Sequence, residues 1–159
     1  MTDAINGKAV LRLPRLVARI DRAMATVAVA QAVLVLVDFV LLGLLARGAP
    51  LLESLLLVLF GIIGTTIGTV RHFRVAARDG AVVVIGSAAG AFVVGVLWHF
   101  VLGGPGNIHV ALRSGAPVLA RFFEAFVTLH LVAAAATVLL AALAFRRRTA
   151  ILAIGRISE

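Results

Sequence analysis

The sequence contains no cysteine, and only 14% of its 159 residues are charged. The first absence excludes a disulfide-stapled secreted module and any Cys-ligated zinc or iron–sulfur centre. The second excludes more. An ordinary soluble domain carries about 25% charged and roughly 45–50% apolar residues, whereas this chain is 62% hydrophobic, with seven acidic and fifteen basic residues. So few charges cannot wet the surface of a soluble domain of this length, and so apolar a chain is not a disordered one. Catalytic motifs are missing as well. There is no nucleophile elbow, phosphate loop, HExxH or pair of carboxylates on one helical face, so an enzyme is the less favoured class.

What the chain does have is long apolar runs, and the lipid bilayer is the solvent that suits them. A helix needs about 20 apolar residues to cross a hydrocarbon core of roughly 30 Å. Four runs of that length occur, at about 25–45, 51–70, 81–102 and 123–145. They are continuously apolar and lack the alternation of a transmembrane β-strand. The links at 46–50 and 71–80 are short, and only 103–122 is longer. Short links force consecutive helices to be antiparallel neighbours. The expected fold is an all-α integral membrane protein. It is one membrane domain over 1–159, a four-helix up-down-up-down bundle preceded by a basic amphipathic interfacial helix.

The net charge of +8 reads as orientation. Twelve Lys and Arg lie in the N-terminal segment, the second link and the tail 146–159, against three in the other two links. Positive loops stay in the cytoplasm, which places both termini there, in a bacterial plasma membrane, and leaves no need for a nucleic-acid partner. The first apolar stretch is too long for a signal-peptide core and lacks a clean small-x-small cleavage site, so an uncleaved span is expected. Over 11–22, Arg12, Arg15, Arg19 and Arg22 fall on one helical stripe, with Leu13, Leu16, Val17 and Ile20 on another. Such a helix can lie among lipid headgroups, with Pro14 in its first turn.

Helices in lipid associate through small residues that let backbones approach. Gly61, Gly64 and Gly68 in the second span and Gly86 and Gly90 in the third supply such surfaces, including two GxxxG pairs. They suit packing within the chain or against another subunit, a second copy or a lipid.

Ionisable groups inside a span are costly and are functional candidates by default. Asp38 lies seven residues before the end of the first span and His130 seven residues into the fourth. At about 1.5 Å per residue both sit roughly 10 Å beneath the same boundary. Together with His99 and Glu124 they form the expected intramembrane polar cluster, and Glu53 lies near the same boundary. The opposite half of the membrane shows only Gln31 with scattered Ser and Thr, so the polarity reads as one-sided. His72 is expected at the headgroups and His109 in the long link.

Several chemistries could use this set. Asp38 could pair with His130, or with a partner's cation, to hold the helices in register. A proton or cation path could use Asp38 and His130 as relay groups. Haem b would need His99 and His130 as axial ligands, although they differ by about four residues, roughly 6 Å, in depth. No HxxxH or ExxH spacing supports a metal, and none is expected.

Four segments carry a family likeness: RIDRA at 19–23, VDFVLL at 37–42, PLLESLLL at 50–57 and RHFRV at 71–75. Over about 19–75 the chain loosely resembles the small four-span membrane subunit of tripartite periplasmic (TRAP) transporters. That likeness implies a scaffold for a larger transport subunit, without chemistry of its own. Leu42 and Gly43 stand where the family usually carries an Arg, and the second half has no match, so no family is assigned on it. The expected role is a small non-catalytic accessory or scaffold subunit of a larger membrane complex, in a transport or respiratory assembly. A small oligomeric transporter or channel using Asp38 and His130 is the alternative, and a haem-binding redox subunit using His99 and His130 a further one.

Overall fold

The computed structural model describes residues 3–46, 51–104, 106–113 and 115–157, with side chains over 16–45, 51–104, 106–113 and 115–150. Among them every regular element is a helix: α1 (Asp3–Ala46), α2 (Leu51–Arg74), α3 (Ala77–Val101), the single turn α4 (Ile108–Ala111) and α5 (Pro117–Ile157). Four of these are long and apolar enough to cross a membrane, so the chain is a multi-pass membrane protein. Its outer surface agrees: Val29, Val40, Leu44, Leu55, Ile67 and Leu139 are each more than half exposed. Acyl chains receive such side chains without cost, whereas water would not.

The helices run past the apolar stretches that predict them. Apolar length marks the hydrocarbon boundary, but a helix can continue beyond it among polar groups. The link expected over 71–80 is helical except at Val75 and Ala76. At the other end of α2 and α3, Gly115 at φ +81° turns the long link towards α5, a conformation that L side chains rarely adopt. The amphipathic stretch 11–22 is not a separate helix but part of α1, so Pro14 lies well inside that helix rather than in its first turn. Within the same stretch Ile20 packs on Met24, Val84 and Ala141 of the bundle.

Two seams organise the packing. On α1 the buried positions are Asp21, Met24, Ala28, Gln31, Val35, Asp38 and Leu42; on α5 they are Ala120, Phe123, Val127, His130, Ala134, Thr137, Ala141 and Ala144. Both sets alternate steps of three and four, the spacing that keeps a seam facing one neighbour along a coiled pair of helices. Asp38 meets His130 and Asp21 meets Arg148, so the two seams face each other in opposite chain order.

On α2 the buried positions Glu53, Leu57, Gly61 and Thr65 are four apart, before Gly68 and His72 follow at steps of three and four. At 3.6 residues per turn such a row would drift around the helix. The π-helical stretch Val58–Gly64 widens the turn and holds the row on one face. A second π-helical stretch, Leu97–Val101, does the same for Gly95 and His99 on α3.

Small residues let α2 and α3 approach. A Cβ on Gly68 would lie 2.8 Å from Val84, one on Gly90 would lie 2.8 Å from the Phe60 ring, and one on Gly61 would lie 2.9 Å from Val35 of α1. Gly64 backs onto Ser87 and Gly80 onto the backbone of His72. Gly86 differs from these: nothing lies within 4 Å of its missing side chain. The two GxxxG pairs are therefore used unequally, because Gly86 faces away from the chain's own helices.

These contacts predict opposite effects for two similar substitutions. Gly80→Ala forces backbone apart and should lower stability by about 1–3 kcal/mol. Gly86→Ala meets nothing and should leave stability unchanged or slightly raised. Thermal unfolding of the two variants in detergent checks the contrast.

Candidate functional site

Burying a charged side chain in a helix bundle is tolerable only where a partner meets it. Three histidines are buried in this chain, and each faces a carboxylate from a different helix.

The first pair joins the α1 and α5 seams. His130 Nδ1 lies 3.0 Å from Asp38 Oδ2, with side-chain exposures of 0% and 2%. Depth in the sequence anticipates this contact, and the structure makes it. His130 Nε2 and Asp38 Oδ1 are buried and meet no partner among the described residues.

The second pair lies about one turn nearer the long link. His99 Nδ1 donates to the Gly106 carbonyl at 2.8 Å and stands 3.6 Å from Glu53 Oε1. The ring meets Phe123 edge to face at 5.5 Å. Glu53 is fully buried, and neither of its oxygens has a hydrogen-bond partner among the described residues. Gly106 sits on this carboxyl: a Cβ there would lie 2.6 Å from Glu53 Oε2. The link thus folds over the end of the cluster. Asn107 fixes it, donating to the Leu102 carbonyl and accepting from the His109 N–H, both at 2.9 Å. Ile108 and Ala111 of α4 plug into the core beside Leu42 and Phe123. His109 and Arg113 of the same link are exposed.

Glu124 does not join the cluster. It forms a partly exposed bridge to Arg121 at 2.8 Å, one position off the α5 seam, and Glu53 occupies the place expected for it. Depth alone fixes height in the membrane and leaves the direction around the helix open.

The third pair corrects the reading of one-sided polarity. His72 is not at a headgroup surface but 2% exposed, at the far end of the bundle from the long link. Its Nδ1 faces the Ala77 carbonyl at 2.6 Å and its Nε2 faces Asp21 Oδ1 at 2.9 Å. Arg148 donates to the other Asp21 oxygen at 2.7 Å. Both nitrogens of His72 thus meet oxygen atoms. This triad ties together α1, the turn between α2 and α3, and α5. A basic tail and a single Asp within RIDRA were its only signals in the sequence.

Between the two ends, one heptad from Asp38 and His130, Gln31 and Thr137 share a level. Gln31 is fully buried with neither amide atom partnered among the described residues. Thr137 and Thr65 bond back to carbonyls of their own helices. Of the expected headgroup arginines, Arg19 and Arg22 are exposed. The side chains of Arg12 and Arg15 lie outside the described residues.

The rings of His99 and His130 are on facing helices, one turn apart in height. α3 and α5 approach closely beside these rings: a Cβ on Gly95 would lie 2.7 Å from Leu131 and 3.8 Å from His130 Cε1. Among the described residues no three His, Asp or Glu side chains gather closely enough to ligate one metal ion. Compared with known proteins, the chain matches no family model, no curated protein and no solved structure.

Removing one partner of a buried ion pair is far more damaging than removing an exposed one. Asp21→Ala strands His72 and Arg148 and should lower stability by about 3–5 kcal/mol. Glu124→Ala, at the exposed bridge, should change it by less than about 1 kcal/mol. Denaturation midpoints of the two variants in the same detergent test the ranking.

Proposed function

We propose that this protein is a small non-catalytic subunit of a larger assembly in a bacterial plasma membrane, in the class of transport or respiratory complexes. The proposed topology is an up-down-up-down bundle with both termini in the cytoplasm, supported by twelve basic residues on one side and three on the other. The basic N-terminal part of α1 serves as an amphipathic anchor among the headgroups. Its exposed Arg19 and Arg22 support this.

The observation that carries the reading is the unused half of a packing motif. Gly90 is filled by Phe60 of the same chain, but Gly86, one turn away, opens outward between exposed Val82 and Val93. A helix of another subunit can approach closest there, since no side chain keeps it at a distance. A second reading, a small oligomeric transporter, is favoured by the buried pair of Asp38 and His130, whose remaining polar atoms are unpartnered.

Gentle extraction from native membranes, followed by mass spectrometry of the intact assembly, tests the subunit role. The expected species contains this chain with at least one other membrane subunit. Gly86→Phe should release that subunit while leaving the chain's own unfolding temperature within a few degrees. A homogeneous lone monomer from wild-type membranes overturns the proposal.

A further inference from the structure

At the end of the bundle covered by the long link, the buried polar atoms show an imbalance of one kind. His99 Nδ1 carries its hydrogen towards the Gly106 carbonyl, which leaves Nε2 as an acceptor. A neutral His130 ring facing an ionised Asp38 places its hydrogen on Nδ1, towards Oδ2, which again leaves Nε2 as an acceptor. Asp38 Oδ1 and both Glu53 oxygens are acceptors too. These five buried atoms are all without a partner among the described residues. With neutral rings and ionised carboxylates, the set contains five acceptors, no spare donor and two negative charges.

Such a set demands hydrogens, because an unmatched buried acceptor is costly and an unmatched buried charge more so. No facing element brings a Lys or Arg side chain into an ion pair that would supply them, among the described residues. α1 contributes Asp38, α2 Glu53, α3 His99 and α5 His130, and His130 Cε1 lies 3.8 Å from where a Cβ on Gly95 would stand, one turn along α3 from His99. The nearest arginine of α5, Arg121, is exposed and bound to Glu124, and His109 and Arg113 of the link are exposed. The donors that remain are a proton and water, and a buried water needs two to four polar partners of the kind these atoms offer.

We propose that Glu53, His99, Asp38 and His130 form a proton-exchange site, which takes up one proton with bridging water from the end of the bundle that Gly106 covers. On uptake, the proton leaves a hydronium ion, forms an O–H bond to a carboxylate oxygen of Glu53 or Asp38, and one water is released. On discharge the same bond breaks and water carries the proton away. The site is built on the pair that underlies the transporter reading and does not depend on the subunit role. Proton exchange at equilibrium is also separable from transport across the membrane.

Infrared difference spectra of the purified full chain in phosphatidylcholine vesicles, between about pH 5 and pH 9 in sodium-free potassium buffer, test this directly. A protonated buried carboxyl gives a C=O band that shifts in deuterium oxide and exchanges slowly. The expected result is one such pH-dependent band per chain, lost in Glu53→Gln or in Asp38→Asn. In Gly106→Ala, where the added methyl pushes the link off Glu53, the deuterium shift should develop at least several-fold faster. A wild-type spectrum without a slowly exchanging, pH-dependent carboxyl band overturns the proposal. So does a band that survives in both carboxamide variants, or one that responds to added sodium and not to pH. The wild-type measurement alone is decisive if the variants do not fold.

Discussion

The constraint on which the rest of the structure depends is that the two buried carboxylates of α1, Asp21 and Asp38, are each met by a side chain from another helix. Asp38 and Asp21 lie on the α1 seam, and their partners His130 and Arg148 are eighteen residues apart on α5, against seventeen between the two acids. Two contacts that far apart leave one register for the pair of helices, since a slip of one turn would strand both acids. Apolar side chains alone would not choose so sharply: in lipid, a contact with Leu is worth as much as a contact with an acyl chain. Polar residues at single seam positions are the known means of fixing register in packed helices, at some expense in stability.

Apolar layers fill the intervals between the polar levels. Met24, Val84, Ala141 and Ala144 pack near the triad, Val35, Leu57 and Val94 near the middle, and Leu42, Phe123 and Val127 under the long link. Small residues beside these layers determine how close the helices come, and therefore whether the polar groups can touch. α3 depends most on them, because Gly80 and Gly95 bring it against α2 and α5. The two π-helical stretches then aim Glu53 and His99 at each other. Without the wider turns, one or both would rotate towards lipid, where a carboxylate has no partner.

Much of this is legible in the residues. Apolar length gives the four spans, and equal depth from the boundary brings Asp38 and His130 together. The seam of α5 is legible as well: Phe123, Val127 and His130 continue through Ala134, Thr137 and Ala141 in steps of three and four, which leaves Glu124 off it. Depth without this angular test selects Glu124 wrongly. Glu53 is harder. Its row in steps of four falls on one face only if α2 widens, and nothing in VLFGIIG announces a π-helical turn. The triad escapes for another reason. Asp21, His72 and Arg148 lie in basic segments whose charges already satisfy the rule for orientation, so no residue there calls for a partner.

The two ends of the bundle have opposite hydrogen-bond stoichiometry. At the triad, Asp21 receives a hydrogen from Arg148 and faces one nitrogen of His72, whose other nitrogen faces a carbonyl. Every strong acceptor is matched, Arg148 Nε is left as a spare donor, and α1, α2 and α5 are tied at one point. At the opposite end, two imidazoles have spent their donors on Gly106 and Asp38, and five acceptors are left over. A cluster whose acceptors are all met resists change, because any rearrangement breaks a charged contact without replacing it. An acceptor-rich cluster invites it, because each added hydrogen removes a penalty. The cover also differs: the turn at the triad is two residues long and packed by Gly80, whereas the link over Glu53 rests there through the carbonyl of Gly106 and the side chain of Asn107. One end of the bundle is thus built to hold its geometry and the other to exchange hydrogens, and the seam between α1 and α5 connects the two.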